Sequence, residues 1–193
     1  MQDNGIWPPF EAFYIESLIP HTHSAIDSIE KIFLWIKAFE NNDVWALQTR
    51  PHDVFYELQN ILHQAGCVSR YFFPTGRAKK SPHIERATRL RNAMEITDSS
   101  PLANRELRNA IEHFDERLDL FLQNDHIGEF FPYDIGYEPR QSDIPTHILK
   151  GFYIRNFSFV LLNQNFSLLP IIDELTRIHS ILDKCRQSGH RLP

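Results

Sequence analysis

Apolar residues recur at intervals of three and four over most of the chain. That period predicts helices first and a small β element towards the end. The opening segment carries Pro8, Pro9 and Pro20 and reads as irregular. Thr22 or Ser24 can then cap a helix to about Asn41, with Ile26, Ile29, Ile32, Phe33 and Ile36 on one stripe. A second helix is expected over about Asp53 to Gln64, closed by Gly66 as a left-handed cap. Pro74, Gly76 and the following lysines read as a basic connection. Ser81-Pro82 has the form of a cap followed by proline at the first helical position, opening a helix to about Ile96.

Thr97-Asp98-Ser99-Ser100-Pro101 is a break, and the strongest helical pattern of the chain follows it, from about Leu102 to Gln123. Its stripe is Leu107, Ile111, Phe114, Leu118 and Phe121 or Leu122. Residues 126–150 read as a loop, rich in proline and aromatics between His126 and Pro145. Phe152 to Leu162 is β-branched and aromatic and reads as a hairpin, its turn falling at Asn156 or at Asn163-Gln164-Asn165. Pro170 starts a final helix to about Arg186, ending before Gly189. The expected fold is mainly α: one domain over 1–193, an up-and-down helical bundle with its core at about 20–125. A small C-terminal β-hairpin and a final helix complete it over 151–187.

Size and composition agree with that picture. At 193 residues, 42% hydrophobic and 23% charged, the chain sits in the globular range. Its densest apolar run, Ile32 to Ile36, falls far short of the roughly 20 residues a spanning helix needs, so no membrane partner is expected. No secretory signal is visible at the start, and Cys67 and Cys185 cannot build a disulfide scaffold; both point to the cytoplasm. Trp7, Trp35 and Trp45 read as packing residues, and Cys67 as a small buried hydrophobe at a helix end.

Charge adds one asymmetry. The net charge is −5, but between Arg70 and Arg91 seven basic residues face the single acid Glu85. Lys79, Lys80, Arg86 and Arg89 are therefore candidate phosphate and RNA contacts; the alternative is a solvated helix face. There is no dinucleotide fingerprint, P-loop, H-E-x-x-H or C-x-x-C, and no cofactor is indicated. His21-x-His23 could hold a metal but has no evident third ligand, so no metal site is assigned.

The remaining chemistry lies in Arg108-Asn109-Ala110-Ile111-Glu112-His113-Phe114-Asp115-Glu116-Arg117-Leu118. Arginine, four residues, then histidine, with a polar residue directly after the arginine, resembles the motif of the HEPN superfamily in one of its little-characterised bacterial branches. The resemblance covers about residues 20–125 and leaves the hairpin and last helix unaccounted for. It implies a metal-independent endoribonuclease of toxin or phage-defence type, working as a homodimer on RNA, with an antitoxin or regulatory protein as a possible partner. Other members have lost activity and serve as interaction modules. Asp115 stands where some toxin members carry tyrosine, so a phosphate there needs Arg117 or a neighbouring lysine to offset the carboxylate.

The residue chemistry fits the implied reaction independently. Histidine moves protons near neutrality, which suits His113 to the 2′-hydroxyl or the leaving oxygen. The planar fork of Arg108 suits charge developing on phosphate, and Asn109 can orient the site by hydrogen bonding. On a straight helix Arg108 would lie about 140° from His113, which pushes catalysis towards a dimer. Two other readings remain open. Arg108–Glu112 and Asn109–His113 can be ordinary i,i+4 helix pairs supporting an interaction protein. The hairpin around Phe152–Leu162 can recruit another chain by strand addition.

Overall fold

The computed structural model describes residues 5–75, 81–123 and 127–193, without the side chains of Leu107 and Arg108. The protein is mainly helical with a small sheet and a final helix. Its elements are α1 (Pro8–Glu40), α2 (Val44–Leu47), α3 (Pro51–Phe72), α4 (Pro82–Ala93), a 3-10 turn (Pro101–Ala103), α5 (Glu106–Glu112) and α6 (Phe114–Leu122). Strands β1 (Glu129–Gly136), β2 (Thr146–Tyr153), β3 (Ser158–Leu161) and β4 (Gln164–Ser167) follow, then α7 (Leu169–Gln187). Among the described residues, no helix is long and apolar enough to cross a membrane.

The chain divides into two compact units, one of residues 1–29, 60–105 and 171–193, the other of residues 30–59 and 106–170. In the first unit the buried apolar residues come from the start of α1 (Ile15, Leu18), the end of α3 (Leu62, Val68, Phe72), α4 (Leu90) and α7 (Leu175, Ile178, Leu182). A polar chain runs beside them. Asn60 Nδ2 donates to Ser28 Oγ at 2.8 Å, Gln64 Nε2 donates to Asn60 Oδ1 at 3.0 Å, and His21 Nδ1 meets Gln64 Oε1 at 2.8 Å. The carboxylate of Glu11, fully buried, accepts from Arg191 Nε at 2.7 Å and from the Leu192 N–H at 3.0 Å.

The second unit is built on the sheet, in the order β1-β2-β3-β4, with β1 parallel to β2 and the other pairs antiparallel. Residues directly opposite one another share a face, so Ile135, Phe152, Phe159 and Phe166 form one row across it. Trp35 and Phe55 pack on that face, with ring centroids 6.5 Å from Phe152 and 6.2 Å from Phe159. A second row, Tyr133, Lys150, Leu161 and Gln164, lies two residues along each strand. On the opposite face, the Tyr153 hydroxyl lies 3.4 Å from where a Cβ on Gly151 would stand, so the glycine leaves room for the phenol to reach Asp134.

Several expectations are corrected. The opening is not irregular: α1 runs from Pro8 through Pro20, because burial of Ile15 and Leu18 before the proline and of Ala25, Ile29 and Ile32 after it outweighs one missing backbone bond. Gly66 is an interior residue of α3 rather than a cap, since Val68, Ser69 and Phe72 beyond it are buried and Ser69 Oγ donates to the Leu102 carbonyl at 2.7 Å. Cys67 is half-exposed on that helix, not buried at its end, with His63 Nε2 at 3.7 Å. Trp35 is core, but Trp7 and Trp45 are largely exposed. The Ser81-Pro82 start of α4 is as expected, Ser81 Oγ accepting from the His83 N–H; Glu95, at a φ of 54°, stops the helix just short of Ile96.

The expected loop at 126–150 contains β1 and the first five of the eight residues of β2. Pro132 and Gly136 hid β1, and Pro132 is tolerated because β1 is an edge strand. Both candidate turns exist: residues 154–157 join β2 to β3, and Leu162-Asn163, each at positive φ, make the two-residue turn to β4. The β2–β3 hairpin therefore lies inside the sheet, flanked by β1 and β4, and offers no free edge at Phe152–Leu162.

Candidate active site

The expected continuous helix over Leu102–Gln123 is three pieces. Leu102 is in the 3-10 turn, Asn104 is extended, α5 ends at Glu112, and His113 interrupts the helix before α6. Backbone bonds persist on both sides of the interruption: His113 N–H donates to the Asn109 carbonyl at 3.0 Å and Arg117 N–H to the His113 carbonyl at 3.1 Å. Yet His113 itself stands at φ −115°, ψ 38°, outside helical geometry. The reason lies in packing. Among the described side chains Ala110 is fully buried in α5, α6 buries none, and Ile111, Phe114, Leu118 and Phe121 are only partly covered, so from Ile111 onward no deep stripe holds one straight rod.

His113 consequently projects from a break rather than from a packed face. Its side chain is 57% exposed, and Nδ1 lies 3.7 Å from Glu116 Oε1. Asn109 sits one turn earlier on α5, half-buried. The backbone of Arg108 is in α5, while its side chain lies outside the described residues. The 140° separation expected between Arg108 and His113 was drawn for a straight helix, and the backbone leaves helical geometry at His113.

Beyond His113, α6 meets the second sheet row. Lys150 Nζ lies 5.3 Å from the centroid of the Phe114 ring, and Arg117 Nη1 donates to Gln164 Oε1 at 3.0 Å. Phe121 meets His147 edge to face at 6.2 Å. Arg117, Leu120, Phe121, Leu161, Leu162 and Gln164 line an open pocket of about 420 Å³. Lys150 has no hydrogen bond or ion pair to any described residue, and burial pushes its ammonium pKa down. Neither Lys150 nor Gln164 stood out in the sequence. The available signal was a single charge inside the apolar run Ile148 to Phe152.

Of the predicted RNA contacts, Arg86 and Arg89 belong to the first unit, and Lys79 and Lys80 lie outside the described residues. Arg86 is over the Tyr71 ring at 5.3 Å and donates to the Arg70 carbonyl at 3.0 Å. Arg89 pairs with Glu85 and donates to the Gly5 carbonyl. With Trp7, Phe10 and Tyr14 they border a pocket of about 290 Å³. His21 and His23 do not converge: His23 faces Asp27 at 3.2 Å, whereas His21 faces Gln64. In the sheet, buried Asp134 accepts from Tyr153 Oη at 2.8 Å and from Arg140 Nε at 2.7 Å. Burial and that carboxylate raise the Tyr153 pKa far above its ordinary value, so the trio is a fixed structural network.

No protein-family model, curated protein or solved structure matches the chain.

Proposed function

We propose that the chain is a metal-independent endoribonuclease of HEPN type, in the toxin or phage-defence class, cutting RNA at a site built around His113. One observation carries the reading. Between Glu106 and Leu122 a helical pattern that runs unbroken in sequence opens at the histidine and presents its ring to solvent. An exposed imidazole with an acid near Nδ1, and with no described residue bonded to Nε2, has the base-and-orienter form used for proton transfer.

In this reaction the 2′-hydroxyl attacks the adjacent phosphorus and the 5′-oxygen leaves. His113 moves a proton at one of those oxygens, Arg108 offsets charge on the phosphate, and Asn109 orients the site by hydrogen bonding. A homodimer with its motif helices facing each other brings the arginine of one copy to the histidine of the other, and an antitoxin or regulatory protein would control access.

The test is cleavage of mixed cellular RNA by the purified full chain in EDTA, beside His113→Ala and Arg108→Ala. Fragments from the unmutated protein and from neither variant are expected. Intact RNA in all three, with His113→Ala altering assembly, would instead identify a non-catalytic HEPN-like interaction protein.

A further inference from the structure

Lys150 stands in the middle of a sheet row, between Tyr133 on β1 and Leu161 on β3. The α6 helix lies across that row, with Phe114 over Lys150 and Arg117 bonded to Gln164 at the row's other end. The pocket of about 420 Å³ opens there, within the range of small-ligand sites. Among the described residues its lining contains one cation, one amide and four apolar residues, and no carboxylate. Lys150 lies directly opposite Leu161, which lines the pocket.

A lysine half-withdrawn from water without a counter-charge raises the free energy of the folded chain. Nothing in the sheet row needs that charge, and an apolar residue would serve packing better. An anion brought into the pocket supplies the missing partner. The lining also limits what kind of anion fits. Leu120, Phe121, Leu161 and Leu162 offer too much apolar wall for a bare phosphate, and suit a phosphate carrying a flat ring. Arg117 holds the oxygen of the Gln164 amide, which leaves the amide nitrogen to donate to a base edge.

We infer that this pocket seats one nucleotide of the RNA, its phosphate held by Arg117 and Lys150 and its base laid against Phe121 and the leucines. The inference rests on the ribonuclease reading, to which it adds a subsite and two positioning residues. Phe114 directly follows His113, so the chain that carries the reacting histidine also carries the ring beneath Lys150.

The test uses the full chain and a mixed-sequence oligoribonucleotide methylated at its 2′-oxygens, which blocks cleavage and leaves binding. Affinity is read by fluorescence anisotropy over a range of salt concentrations. Lys150→Gln and Arg117→Gln should each lower the log–log salt slope by about 0.7, the contribution of one phosphate contact on a single strand. Lys150→Arg should restore it. Lys150→Gln should also keep a melting midpoint close to that of the unmutated protein, because among the described residues the charge it removes has no ion-pair partner, only the face of the Phe114 ring. Binding whose slope ignores both substitutions would overturn the pocket and leave the His113 reading standing. No binding at all would also overturn it. Pocket-dependent binding by a protein that leaves unmodified RNA intact would keep the pocket and sink the ribonuclease.

Discussion

Glu11 offers the sharpest stability test in the molecule. Its side chain is completely buried in the first turn of α1, where the helix dipole favours an anion. Three contacts satisfy it: Arg191 Nε at 2.7 Å, Arg191 Nη2 at 3.4 Å and the Leu192 N–H at 3.0 Å. Glu11→Ala takes the carboxylate away from a guanidinium that is 29% exposed and from the Leu192 N–H. Breaking a buried pair costs about 3–5 kcal/mol, and partial access of water to Arg191 places this case near 3 kcal/mol. For a chain of this length that is a drop of roughly 6 to 12 °C in melting midpoint. Arg191→Ala should cost at least as much, because the stranded charge is then the one that cannot reach water. Glu11→Gln, which keeps an acceptor for Leu192, should cost less than either. Urea unfolding of the three variants and the Glu11→Ala/Arg191→Ala double mutant checks the reasoning. A Glu11→Ala protein within about 0.5 kcal/mol of the unmutated chain would refute it, since that is the range of an ordinary surface change.

Two further outcomes follow from the same unit. Hydrogen bonds from Arg177 and Ser100 hold the Glu174 carboxyl below its ordinary value, so its contribution to stability is present above the unfolded carboxylate pKa of about 4.3 and is lost as pH falls through the lower folded value. Glu174→Gln should flatten the melting-midpoint profile below about pH 4.3, and an unchanged acid limb would rule the linkage out. Pro20→Ala restores a backbone donor to the Glu16 carbonyl inside α1 and should stabilise by about 1 kcal/mol, less than the full proline penalty because the surrounding helix has already accommodated the ring. A lower melting midpoint would show that the proline's geometry is required.

What could be read from the sequence was whatever a local rule decides. Ser81-Pro82 determines its own cap, the period of Ile172, Leu175, Ile178 and Leu182 marks α7, and the run after Phe152 belongs in a sheet. What could not be read was settled by burial elsewhere in the chain. Pro20 and Gly66 are breakers locally, and both lie inside long helices because apolar residues on either side of them are buried. Pro132 argues against a strand, and β1 exists because β2 accepts it as an edge.

The candidate site divides along the same line. The spacing of Arg108, Asn109 and His113 is a property of the sequence, and it singled out a segment whose backbone proves unusual at the histidine. The expected geometry of that segment was wrong, because helical period extrapolates through a residue that tertiary packing does not hold. Lys150 shows the converse. It is thirty-seven residues from His113 in sequence and carries no motif. Only strand register places it opposite Leu161, and only α6 brings Phe114 over its ammonium group. A motif can single out a residue able to move a proton; the position of a half-buried cation is set by pairings between distant strands. The salt-slope measurement on Lys150 and the cleavage assay on His113 therefore address two separable claims, and each can fail while the other stands.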